Sequence, residues 1–274
     1  MLKSNIFVIF GGHEWEHNIS MRSGYDISKC LSENKVNVYN IYITKNFEWK
    51  YSNLEIDKMI LNGKDIKKIQ INENNCENVF QIGNGKINNI KVSCAFLATH
   101  GKYGEDGKLQ GLLEMYNIPY TGSKVLGSSI GMDKDICKKL VSSINIPVIE
   151  SFTFHKGDNI DSDKISKVLG NNFIVKIVDG GSSRGVFKAN ICNLNEKINE
   201  AFSLSNKILI EKQVNMREVE IGVIENNILH FSDLGEIKKN KNFYDYKQKY
   251  IENIELIIPA KVNDKIKKKI INYS

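Results

Sequence analysis

Lysine, glutamate, histidine and glycine recur in short segments whose spacing could grip an anion or orient an amine. Residues 100–111 read HGKYGEDGKLQG. Glycines at 101, 104 and 107 would let backbone approach an anion at the start of a helix, although a tight turn with a solvated His100 has the same composition. Residues 176–186 read KIVDGGSSRGV. A strand lysine, Lys176, runs here into a loop rich in N–H and hydroxyl donors that could wrap phosphate oxygens. The GKS/T order of a P-loop is absent, and a plain Gly-Ser hairpin fits equally well. Residues 11–20, GGHEWEHNIS, offer Glu16 as a partner for an ammonium group; a carboxylate placed there also suits a helix start. Lys134 of GMDK, taken alone, is a solvated helix residue. Residues 243–250, FYDYKQKY, alternate aromatics with charges, as either a lid over a ligand or an edge strand would.

Composition narrows the classes. The 274 residues suggest about two domains, with a core large enough to fold without staples. Thirty-eight Lys and Arg against 32 Asp and Glu leave a net charge of +6. That excess suits anionic small molecules and is too scattered for a nucleic-acid groove. The five cysteines, at 30, 76, 94, 137 and 192, form no CxxC pair. They read as reduced thiols of a cytosolic protein, mostly packed as small apolar side chains. The apolar run at residues 6–10 is too short for a signal peptide core or a membrane span, so the protein is expected to be cytoplasmic, with no membrane and no nucleic acid as partner.

The elements that must position these residues follow from periodicity. Residues 5–10 and 92–98 are continuous apolar runs, as buried parallel strands require. Residues 36–43 alternate, Ser20 is placed to cap the first helix, and 109–116 reads as helical, with a new strand starting at 117–119. Residues 50–90 read as irregular with a short hairpin. A helical region spans 123–143. Strand candidates at 173–178, 186–189, 207–211, 218–224 and 228–232 follow one another closely, which predicts an antiparallel sheet. Asn263 should cap a last helix carrying Ile266, Ile270 and Ile271 on one face.

In chain order, GGxxxEHxIS (11–20), ITK (43–45) with Trp49, HGxxGEDGxLQG (100–111), MDK (132–134), GSSxGV (181–186), IEK (210–212) and YDYxxKY (244–250) resemble the D-alanine–D-alanine ligase family of ATP-grasp enzymes. The resemblance covers the whole chain. It implies an α/β ATP-grasp protein: a Rossmann-like, parallel α/β N-terminal domain over 1–122, a central α+β ATP-grasp subdomain over 123–211, and an incomplete C-terminal subdomain over 212–274. The implied reaction joins two D-alanines for peptidoglycan synthesis. The first carboxylate takes the γ-phosphate of ATP, and the second amine then displaces it, since phosphorylation converts a poor leaving group into a good one.

The resemblance also implies roles. Lys134 and Lys176 contact ATP phosphates under a loop of Gly181, Ser182 and Ser183. Glu211 and the backbone of Lys212 to Val214 meet adenine, and Glu218 meets the ribose. Glu16 orients the first substrate's ammonium, His100 lies beside that substrate, and Lys249 reaches the transferred phosphate. Ser182, Tyr250 and Glu16 form a hydrogen-bonded link. Members are commonly dimers and use ATP with Mg²⁺ or Mn²⁺. Two departures are small: Ile177 stands where the family has proline, and His13 and Glu14 replace a small polar pair. A third is larger, because no DxxF-like or NxxPG stretch occurs. The metal ligands are expected beyond Ser274, and the chain as given is expected to be inactive or nearly so. A D-alanine–D-serine ligase of the vancomycin-resistance type, a D-lactate type (which Tyr250 speaks against), and an inactive nucleotide-binding remnant are the alternatives.

Overall fold

The computed structural model describes residues 3–12, 15–61, 70–79, 81–238 and 255–274. Contacts within the chain gather into two units, Met1–Cys137 and Lys138–Ser274. The first is built on one sheet of β1 (Asn5–Gly11), β2 (Asn37–Ile43), β3 (Trp49–Ser52), β4 (Glu77–Asn78) and β5 (Cys94–Leu97), in the order β5-β1-β2-β3-β4. Its centre is parallel, as expected: β1 lies between β5 and β2 in that sense. The β3 and β4 edge is antiparallel. A tight turn closed by Thr44 N–H to Glu48 O at 2.8 Å joins β2 to β3, leaving no room for the crossover a parallel neighbour needs.

The apolar run of β1 is continuous because both faces are covered. Phe7 and Ile9 pack with Ile41, Ala95 and Leu113, and Val8 and Phe10 pack on the opposite side with Met21, Tyr25 and Met59, as the two-residue period dictates. The helix α1 (His17–Ser32) covers the second face, with Met21 and Tyr25 among its buried residues. Ser20 does not cap it. Glu16 occupies the cap position, and the Ser20 hydroxyl accepts from Gly11 N–H and donates to Ala98 O, both at 2.7 Å. Buried strand ends leave backbone groups that need such a partner.

The region 123–143 is two helices rather than one. After α2 (Lys108–Met115) come α3 (Val125–Met132) and α4 (Lys134–Ser143). Asp133 between them is extended, and its Oδ1 accepts the N–H groups of Asp135 and Ile136, each at 3.0 Å. That is an N-cap. The strand expected from 117 amounts to one bridge between Ala95 and Tyr120. Cys76 packs against the core as expected and Cys94 and Cys137 are half-buried, whereas Cys30 and Cys192 are exposed. All five are free thiols.

The second unit carries the expected antiparallel sheet, β6 (Ser151–His155), β7 (Asn172–Ile177), β8 (Val186–Asn190) and β9 (Lys207–Lys212), in the order β6-β9-β7-β8. Phe173, Val175, Ile208 and Ile210 are fully buried in it. Also buried are Ile165 and Leu169 of α5 (Ser162–Leu169) and Leu194 and Ile198 of α6 (Leu194–Phe202). The strand expected over 218–224 is split into β10 (Glu218–Glu220) and β11 (Val223–Asn226), the latter paired in a hairpin with β12 (Ile228–Phe231). β10 pairs instead with β13 (Gly235–Lys238), which also carries β14 (Glu255–Ile257). The last helix, α7 (Asp264–Tyr273), starts as expected, with Asn263 Oδ1 accepting from Ile266 N–H at 2.9 Å. None of its residues is buried.

Candidate active site

In the first unit the chemistry gathers where β1 and β5 end. Glu16 precedes α1 and its carboxylate lies directly against the α-carbon of Gly101, where a Cβ would overlap it. Gly101 also has φ +65°, so only glycine is unstrained there. The neighbouring His100 ring makes a 3.0 Å hydrogen bond through Nε2 to Ser23 Oγ. Its Nδ1 lies 3.5 Å from Glu105 Oε1, while Glu105 Oε2 accepts Gly101 N–H at 2.7 Å. Burial pushes the Glu105 carboxyl up, but the bonds from His100 and Gly101 outweigh it and hold it below its ordinary value. A cavity of about 250 Å³ opens beside these groups, lined by Gly12, Ile43, Trp49, His100 and Tyr103 among others.

The glycine-rich stretch is not an open anion cradle. Asp106 accepts from Tyr103 N–H at 3.0 Å and Lys108 N–H at 3.2 Å, and it pairs with the Lys108 ammonium. Gly104 O accepts from Gln110 Nε2 at 2.9 Å. The segment's own carboxylates take the donors that spacing assigned to an anion. The close packing of Gly101 on Glu16 survives as its contribution to the site.

The second unit gathers cations around one acid. Glu211 on β9 and Lys176 on β7 share a sheet face, because Lys176 pairs with Leu209 two residues from Glu211. Lys176 Nζ bonds Glu211 Oε2, and Lys138 Nζ bonds Oε1 at 2.7 Å. Burial raises the Glu211 pKa, yet the two ammonium groups win and hold it below the usual carboxylate range. The loop after β7 holds Ser182 and Ser183 at φ +48° and +59°, a region costly for side-chain-bearing residues. Arg184 N–H to Gly181 O at 3.0 Å and Ile177 N–H to Gly185 O at 2.9 Å close it. Ile177, the departure from the family's proline, fills this loop: a Cβ on Gly180 or on Gly185 would meet its Cδ1 at 2.5 or 2.7 Å.

Among the remaining sequence candidates, Lys134 is the first residue of α4. Lys212 N–H donates to Glu150 O at 3.1 Å and Gln213 N–H to Asn172 O at 3.0 Å, Val214 is exposed, and Glu218 opens β10. Lys249 and Tyr250, with the rest of the 243–250 segment, lie outside the described residues, as do His13 and Glu14. Spacing missed three residues. Glu105 was read only as part of a glycine motif. Lys138 has no motif of its own. His17, buried, faces Gly12 O through Nδ1 at 2.9 Å and the Tyr42 hydroxyl through Nε2 at 3.0 Å. A carbonyl can only accept, so Nδ1 carries the proton and Nε2 accepts from Tyr42. Among the described residues no cluster of three or more His, Cys, Asp or Glu side chains could hold a metal ion, and no helix is long and apolar enough to cross a membrane.

Comparison with known proteins agrees over both units. Residues 5–123 match the family model described as D-ala D-ala ligase N-terminus, and residues 140–274 match D-ala D-ala ligase C-terminus. The D-alanine–D-alanine ligase of Wigglesworthia glossinidia brevipalpis is 37% identical over 98% of this chain and 79% of its own length. That of Shouchella clausii is 33% identical, over 98% and 77%. Among solved structures, the VanG D-Ala:D-Ser ligase from Enterococcus faecalis has a TM-score of 0.84 at 29% identity, covering 99% of this chain and 81% of that one. The D-alanine–D-alanine ligase from Coxiella burnetii has 0.77 at 27%, covering 86% and 71%. An acid packed on a glycine in one unit, two ammonium groups sharing an acid in the other, and identity above a third over nearly all of the sequence lead to one assignment: the chain belongs to the D-alanine–D-alanine ligase family and has its ATP-grasp fold.

Proposed function

In place of the expectation that the chain as given is inactive, we propose that it performs the family's reaction, joining two D-alanines at the expense of ATP through an acyl phosphate, in the cytoplasm and for peptidoglycan synthesis. The observation that carries the reading is the match of both family models in order along the chain, joined to the Lys138, Glu211 and Lys176 cluster. Glu16 accepts the first D-alanine's ammonium and His100 lies beside that substrate, while the cavity at Gly12 and Trp49 excludes water from the acyl phosphate. Lys134 and Lys176 supply positive charge to the phosphates, and the loop of Gly181, Ser182 and Ser183 closes on them. Glu211 with the backbone of Lys212 to Val214 meets adenine, and Glu218 the ribose. Lys249 and Tyr250 complete the phosphate contact and the link to Glu16, and the protein works as a dimer. The domain bounds 1–122, 123–211 and 212–274 belong to the same reading.

The family's Mg²⁺ or Mn²⁺ neutralises phosphate charge when bound. Among the described residues no His, Cys, Asp or Glu cluster composes a site for it. Calorimetric titration with ATP, followed by mass spectrometry of the product formed from ATP and D-alanine, tests the proposal. Saturable ATP binding and D-alanyl-D-alanine are expected, and Glu16→Gln should lower kcat/KM roughly a hundred-fold. Failure to bind ATP sinks the proposal. Preference for D-serine as second substrate redirects it to the activity named for VanG.

A further inference from the structure

The roles above give Lys138 no task, yet two acceptors hold its ammonium. Its side chain is 18% exposed. Nζ donates to the Ile149 carbonyl at 2.5 Å and to Glu211 Oε1 at 2.7 Å. Glu211, 7% exposed, gives its other oxygen to Lys176. Two ammonium groups therefore contend for one buried carboxylate, and the trio carries a net charge of about +1.

The competition has a consequence for Lys176. A buried carboxylate with a single cationic partner holds that partner tightly, because separating the two leaves a bare charge in a poor solvent. With Lys138 already matched to Glu211, Lys176 can turn to a phosphate and leave a neutral pair behind. We infer that Lys138 is a positioning residue: it satisfies Glu211 so that Lys176 is released to the phosphates of a nucleoside triphosphate. The inference rests on the proposed role of Lys176 in binding ATP. It adds a residue that touches no substrate. The Ile149 carbonyl favours Lys138 as the fixed partner, since that second bond ties its ammonium to backbone, whereas Lys176 belongs to the strand that feeds the phosphate loop.

Calorimetric titration of the full chain with ATP distinguishes the outcomes. Lys138→Met should weaken ATP binding about ten-fold or more, and Lys138→Arg, which keeps the charge, should stay within about three-fold of the parent. In a Glu211→Gln background, where no carboxylate holds Lys176, adding Lys138→Met should change the affinity less than about two-fold. A merely structural lysine would lower the melting temperature of both backgrounds alike and leave that coupling at zero. Should Lys138→Met fail to fold, Lys138→Gln carries the same comparison. Unchanged ATP affinity in Lys138→Met, or an equal loss with and without Glu211, overturns the inference alone. A parent chain that binds no ATP overturns the nucleotide reading and the inference together.

Discussion

Gly101 and Glu16 are 85 positions apart and in contact, so the effect of a single methyl group can be foreseen. Gly101→Ala places a Cβ on the Glu16 carboxylate at a left-handed backbone position. A loss of about 1–2 kcal/mol in stability is expected, together with a rise in KM for D-alanine and little change in ATP affinity. Urea unfolding and calorimetry with ATP check the pair; an unchanged KM for D-alanine would separate Glu16 from substrate binding. His17 makes a pH prediction. Burial, ahead of the Gly12 bond that opposes it and with help from Lys45, lowers its pKa from 6.5. The unfolded chain therefore takes up the proton first. Stability is full above 6.5 and falls as pH drops from there through the lower folded value. Urea midpoints measured from pH 8 to 5 should show this slope, and His17→Asn should flatten it. A carbonyl on one side and a hydroxyl on the other fix this ring; Gly12 lies in the GGxxxEHxIS motif, but Tyr42 lies outside it.

At the scale of elements, two short polar residues fix how elements meet, Asp133 between two helices and Ser20 between a helix and two strand ends. Asp133→Ala removes the cap of α4, whose first residue is Lys134. It should cost about 1 kcal/mol and weaken ATP binding, while Asp133→Asn, which keeps the acceptor, should restore both; thermal melts and ATP titration read the difference. Ser20→Ala strips a buried bridge from Gly11 N–H and Ala98 O and should cost roughly 1–3 kcal/mol in urea unfolding. The order and type of most strands were legible, because alternation and continuous apolar runs reflect burial directly. The break at Asp133 was not, since an Asp within a helical pattern is also an ordinary solvated residue. Ser20 was misread for a related reason: a serine near a helix start is more often a cap than a bridge between strand ends.

For the whole molecule, ligand binding should register as stability. ATP at about a hundred times its dissociation constant adds roughly 2.7 kcal/mol, so the melting temperature should rise with ATP and the rise should largely vanish in Lys176→Met. The two units, Met1–Cys137 and Lys138–Ser274, both carry parts of the proposed chemistry: Glu16 for the ammonium and Lys134 for phosphate in the first, Lys176 and its loop for phosphate in the second. A melting shift with ATP that survives Lys176→Met undiminished would move the nucleotide site away from Glu211.

Family membership, the central parallel strands, the antiparallel second half and the Asn263 cap were all determined by the sequence alone. Each depends on residue types at short, regular intervals, where local geometry leaves few choices. Only the tertiary structure decided that Glu105 and Asp106 fill the donors of their own loop, that Ile177 plugs the phosphate-loop candidate, and that Lys138 reaches Glu211 across 73 positions. Those outcomes turn on which polar groups meet when distant strands and helices are brought together and water is removed. A lysine or an acid carries no mark of its future partner in the chain around it.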